Sequence, residues 1–179
     1  MMRTRPIAYF MGIFLLVFPI QIYIIGDGLG VGIQSAVLNY RSTYLGTSLT
    51  DAFIELNYAL SGTIQGKTAV SIMAWFAGFL LLLLGLIALI LEGYQAEPRV
   101  RRAGYLYMIA GFFFLASVLI QYGPWLSGPA GISVPIGVPL ILYFGWWYQM
   151  YSVKKDTSGN PSSADEPTVT DDTEEPIEP

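Results

Sequence analysis

Cysteine and histidine are both absent from the 179 residues. The first absence excludes disulfides, thiolate metal sites, a cysteine nucleophile and thiol lipidation. The second removes the commonest general base and metal ligand. Charge is scarce as well. Asp, Glu, Lys and Arg make up 12% of the chain, against about 25% in an ordinary soluble domain. Eight of the 13 acids follow Val153, which leaves residues 1–153 with seven bases and five acids. So few charges could not keep a compact domain dissolved. With 54% apolar residues and a mean hydropathy of +0.53, residues 1–153 read as a membrane domain and 154–179 as a tail.

Four runs contain no Asp, Glu, Lys or Arg: residues 7–26, 68–91, 104–122 and 132–151. At 1.5 Å per residue, about 20 helical residues cross a hydrocarbon core of about 30 Å. Nothing alternates in the manner of a closed barrel, so each run predicts a helix. The expected fold is an all-α integral membrane protein with four transmembrane helices. Arg3 and Arg5 before the first run suggest a secretory leader, but the exit at Gly26 lacks a small-x-small cleavage site, so a retained anchor is expected. If the spans alternate, Arg3, Arg5, Arg99, Arg101, Arg102, Lys154 and Lys155 share one side, and only Arg41 and Lys67 face the other. The positive-inside rule then places both termini in the cytoplasm of a multi-pass cell-membrane protein. Four spans with a larger first outer loop resemble the layout of tetraspan proteins such as claudins. The loop has neither the tryptophan nor the cysteine pair of that family's signature.

The outer loop, 27–67, is too long for a bare connection. Glycine at 26, 28, 30 and 32 predicts extended chain in close approach to another backbone. Ile33, Ala36, Val37, Tyr40 and Tyr44 then follow helical spacing. Ser48 with Asp51 predicts the start of a second amphipathic helix that ends near Gly62. In it, Leu49, Phe53, Leu56 and Leu60 form the stripe expected to be shielded, with Asp51 and Glu55 turned to water. Beyond Lys154, eight acids among Ser, Thr and Pro predict a disordered cytoplasmic tail.

Motifs for chemistry fail on inspection. Gly66-Lys67-Thr68 looks like the end of a phosphate loop, but the required earlier glycine is Ser61. Neither register of the 26–32 glycines completes a dinucleotide fingerprint. No cofactor, metal, nucleotide or nucleic acid is expected. Asp51 and Glu55, with Arg41 and Lys67, are the only groups from which an outer polar site could be built. Arg99, Arg101 and Arg102 after Pro98 read as a topology anchor able to hold anionic headgroups.

Small residues recur every seven positions in spans two and three: Ser71, Gly78 and Gly85 with Ala74, and Ala103, Ala110 and Ser117 flanked by Gly104 and Gly111. Such a seam lets helices approach closely in lipid, so these two spans should pair, with Leu82 off the seam. Partners are therefore the bilayer and either another membrane protein or a second copy. A non-enzymatic assembly or partner-binding component is the leading expectation. A carrier or channel for a small, largely neutral solute comes next, and a lipid-directed enzyme last.

Overall fold

The computed structural model describes residues 5–26, 28–92 and 99–158. It corrects the all-α expectation. The element order is α1 (Arg5–Val17), β1 (Gln21–Ile25), β2 (Gly30–Gln34), β3 (Leu38–Thr43), β4 (Gly46–Asp51), α2 (Ala52–Leu60), α3 (Lys67–Glu92), α4 (Arg99–Tyr122), β5 (Ser127–Gly128), β6 (Gly131–Val134) and α5 (Gly137–Ser158). All strand pairs are antiparallel, in one sheet of order β4-β3-β2-β1-β6-β5.

Two of the four expected spans dissolve at their sheet ends. The run 7–26 is helical only to Val17, and its last part is β1. Pro19 cannot continue a helix and biases its predecessor to extended chain. Behind it, Gln21–Ile25 is rich in the β-branched and aromatic residues that suit a pleated surface. The run 132–151 likewise opens inside β6, and α5 starts at Gly137, where Pro139 sits in a first turn that needs no donor. An unbroken apolar run hides such a switch because it fits strand and helix alike. Among the described residues two stretches are long and apolar enough to cross a membrane, Lys67–Leu91 and Arg102–Tyr122.

The segment 27–67, expected as an outer loop, also differs. Residues 33–44, expected to be helical, are the end of β2, a turn and β3. The glycine comb does lead into a strand. Gly32 pairs with Tyr23 across β1 and β2, and a side-chain carbon there would land on the Tyr23 ring. At Gly131 the backbone has φ +123, and a Cβ would strike the carbonyl of Ile24 on the neighbouring strand. The second helix exists, but it begins after Asp51, not Ser48. Asp51 Oδ1 accepts from the backbone N–H groups of Phe53 and Ile54, both at 2.9 Å, which satisfies two of the donors a helix start leaves open. Its polarity is the reverse of the expectation: Glu55 is 5% exposed, whereas Leu49, Phe53 and Leu60 are open. Helix α5 extends through Lys154 to Ser158, into the stretch expected to be tail. The rest of the acidic tail, 159–179, lies outside the described residues.

Helices α3 and α4 form the central hairpin. Ser71 Oγ donates to the Ser117 carbonyl at 3.0 Å, and Ser117 Oγ returns the bond to the Ser71 carbonyl at 2.7 Å. Below them the contact is ring into gap: Phe114 lies over Gly78 and Tyr107 over Gly85, with Ala103 and Ala110 buried and Ala74 half-buried. Gly104 and Gly111 serve a different neighbour. They admit Gly145 and Leu142 of α5. Leu82, expected off the seam, is fully buried.

The sheet is polarised in an unusual sense. One face carries Gln21, Tyr23, Gln34, Asn39 and Ser133, all buried against the helices. The other carries Ile22, Ile24, Val31, Ile33, Leu38, Tyr40, Leu49, Ile132 and Val134, each 40–64% exposed. Val134, Ile22, Ile33, Tyr40 and Leu49 form one cross-strand row over five strands.

Gly32→Ala tests the Tyr23 packing on which the inner face depends. Overpacking should cost about 1–3 kcal/mol, read as a lower denaturant midpoint in detergent. In a Tyr23→Ala background the same substitution should cost little, and an equal cost in both would refute the contact.

Candidate functional site: a polar cavity under the sheet

The inner sheet face, α2 and the adjoining ends of α3 and α4 line a partly open cavity of about 170 Å³. Its organising group is Glu55. Oε1 accepts from Asn39 Nδ2 at 2.6 Å, from an Arg41 Nη at 2.6 Å and from Thr50 Oγ1 at 3.1 Å. Among the described residues Oε2 has only Gln34 Nε2, at 3.5 Å. Period-two alternation delivers these partners. Asn39 and Arg41 are two apart on β3, Asn39 faces Gln34 on β2, and Thr50 faces Asn39 on β4. Helix α2 then brings Glu55 across them, one turn after its Asp51 cap.

The network continues through β1 and β6. Tyr23 O–H donates to Asn39 Oδ1 at 2.6 Å and accepts from Arg41 Nε at 3.1 Å. Gln21 Nε2 donates to Gln34 Oε1 at 2.6 Å, and Ser133 Oγ donates to Gln21 Oε1 at 3.0 Å. Burial pushes the Tyr23 phenol above its ordinary range, and the Arg41 charge opposes this only in part. Tyr23 therefore stays a donor at neutral pH. The unfolded chain loses this proton first, at about pH 10. The associated stability is intact below that pH and is lost as pH rises beyond it toward the higher folded value.

The arrangement suits binding better than proton transfer. A general base needs a carboxylate free to take a proton, and Glu55 Oε1 is occupied by three donors, one of them a guanidinium. Asp51 is engaged in capping. Of the four expected outer-site residues, Arg41 and Glu55 meet directly, 2.6 Å apart. Asp51 caps α2 on a partly exposed edge, and Lys67 is exposed at the start of α3. Arg99 and Arg101 open α4, with Arg102 exposed after them. Sequence reasoning missed Tyr23, Gln34, Asn39, Thr50 and the cavity residues Thr68 and Trp75. The signal was present as polar residues two apart: Gln21 and Tyr23, then Asn39 and Arg41.

Arg41→Leu should destabilise the protein by about 2 kcal/mol. That is below the 3–5 kcal/mol for breaking a fully buried pair, because the Arg41 side chain is 41% exposed and partly screened. Adding Glu55→Gln should recover part of the loss by removing the unpaired buried charge. Denaturant unfolding of the two singles and the double measures the coupling. Strict additivity would show that the pair does not organise the site.

No family model and no curated protein matches the chain, so its function is read from its own geometry.

Proposed function

We propose that the protein is a non-enzymatic membrane component that assembles with a second copy of itself through the outer face of its sheet. The observation that carries this reading is the inverted sheet, with nine apolar side chains half-open on one face and the polar ones buried beneath. Membrane residence is supported by the α3–α4 hairpin. Only 39% and 44% of its two apolar windows are buried within the protein, so lipid is the natural cover for the remainder. Arg99, Arg101 and Arg102 sit at the far end of that hairpin from the sheet, and the positive-inside rule would place that end in the cytoplasm. The sheet then faces outward.

A second copy is the partner that fits this face best. The nine residues carry no charge, and the one acid that shares their face, Asp51 opposite Leu38, is spent on capping α2. Another copy in the same membrane offers the same face at the same height, as a two-fold interface requires. Burying the open half of each side chain is worth about 1 kcal/mol, on the order of 10 kcal/mol in all before costs. Association costs about 4–15 kcal/mol in free solution. Confinement to one membrane reduces that cost. Catalysis is disfavoured because both carboxylates of the 27–67 segment that the structure describes already serve structural partners.

The absence of native cysteine makes the test clean. Val31→Cys and Ile33→Cys should each give crosslinked dimers in native membranes, and Ile33→Asp should give monomers in detergent without loss of folding. Monomers throughout would overturn the proposal. So would a different protein trapped in stoichiometric amount at position 33.

A further inference from the structure

The Glu55 network leaves hydrogen-bonding capacity unspent, and it lies in the cavity wall. Gln121 and Thr68 both line the cavity, and neither side chain makes a hydrogen bond among the described residues. Gln121 is half-buried at the end of α4, and Thr68 is half-buried in the first turn of α3. Trp75 and Tyr122 add aromatic walls, 4% and 5% exposed. Both polar groups, Gln121 and Thr68, are half-buried and reachable from the cavity, so they offer unused amide and hydroxyl capacity beside rings to a guest.

Charge decides what kind of guest. Arg41 and Glu55 both line the cavity and are joined at 2.6 Å. An anion drawn to the guanidinium would meet the carboxylate, and a cation drawn to the carboxylate would meet the guanidinium. A zwitterion would have to split the pair. A neutral molecule avoids all three penalties. The amides of Gln34 and Gln121 and the hydroxyl of Thr68 can both donate and accept, which matches hydroxyl groups that do the same. Size narrows the choice further. A cavity of about 150 Å³ takes benzene, so 170 Å³ suits a compact molecule of roughly six to eight heavy atoms.

We infer that this cavity is a binding site for a small neutral polyol, held by Gln121 and Thr68 beside the Arg41–Glu55 pair and packed on Trp75 and Tyr122. The site is separate from the outer sheet face, so its success or failure is independent of self-assembly.

The test is equilibrium dialysis of labelled erythritol against the full chain in nanodiscs. One saturable equivalent should bind. Gln121→Leu and Thr68→Val each remove one neutral hydrogen-bonding group, so each should weaken binding roughly fivefold to tenfold. Neither substitution breaks an internal hydrogen bond, so the melting temperature without erythritol should hold. Acetate and methylammonium should not compete. Absence of saturable erythritol binding would overturn the site and leave the cavity a water-filled structural void. Binding indifferent to both substitutions would also overturn it, as would displacement by either ion.

Discussion

One buried carboxylate sets the direction in which the sheet faces. Glu55 is 5% exposed, and such a charge is tolerable only when it is paired and hydrogen-bonded. Its partners Asn39, Arg41 and Thr50 lie on two adjacent strands. Alternation is strict in a strand, so drawing Asn39 and Arg41 inward sends Leu38 and Tyr40 outward. The register passes this choice along the sheet. Gln34 faces Asn39, and Gln21 faces Gln34. Tyr23 follows two residues after Gln21, with Ser133 opposite it on β6. Ile22, Ile24, Ile33, Leu38 and Tyr40, which alternate with them, are turned out, and Ile25 alone of the β1 aliphatics stays on the cavity side. The exposed Ile and Val side chains and the buried amides are two results of one constraint.

The same inversion separates two kinds of surface. The helices carry an apolar exterior that suits lipid, and their mutual contact uses what lipid permits: rings seated over glycines and a reciprocal serine pair. The sheet carries an apolar exterior that suits another protein. Between them lies an amide-lined cavity. Most of the buried polar groups there are satisfied within the network, and the half-buried Gln121 and Thr68 add hydrogen-bonding capacity that the network leaves unused.

Part of this was legible in the sequence. The α3 and α4 runs, the serine and glycine spacing between them, the extended chain at Gly30 and Gly32 and the helix ending near Gly62 all follow from local pattern, whereas Gly26 and Gly28 belong to a turn. The sheet did not. Ile33, Ala36, Val37, Tyr40 and Tyr44 match a helical face, yet the same stretch holds Leu38, Asn39, Tyr40 and Arg41 in alternation. The two patterns overlap, and a helical reading buries the apolar residues of that stretch. At β3 and at α2 the reverse holds: Leu38, Tyr40 and Phe53 are exposed and Glu55 is buried. Local pattern shows which residues share a face. It does not show which face is buried when a connected polar network lines the face opposite an aliphatic row. The ends of α1 and α5 were hidden differently, since Ile22-Tyr23-Ile24 and Ile132-Ser133-Val134 sit inside uncharged runs that read equally well as span.

The inverted sheet is tested most directly on β1, where the two faces alternate residue by residue. Single cysteines at Ile22, Tyr23 and Ile24 in the cysteine-free chain can be treated with a small membrane-permeant maleimide while the protein is monomeric in detergent. The account requires rapid labelling at 22 and 24 and protection at 23. Protection at 22 and 24 with rapid labelling at 23 would show the usual polarity of a half-buried sheet and contradict it.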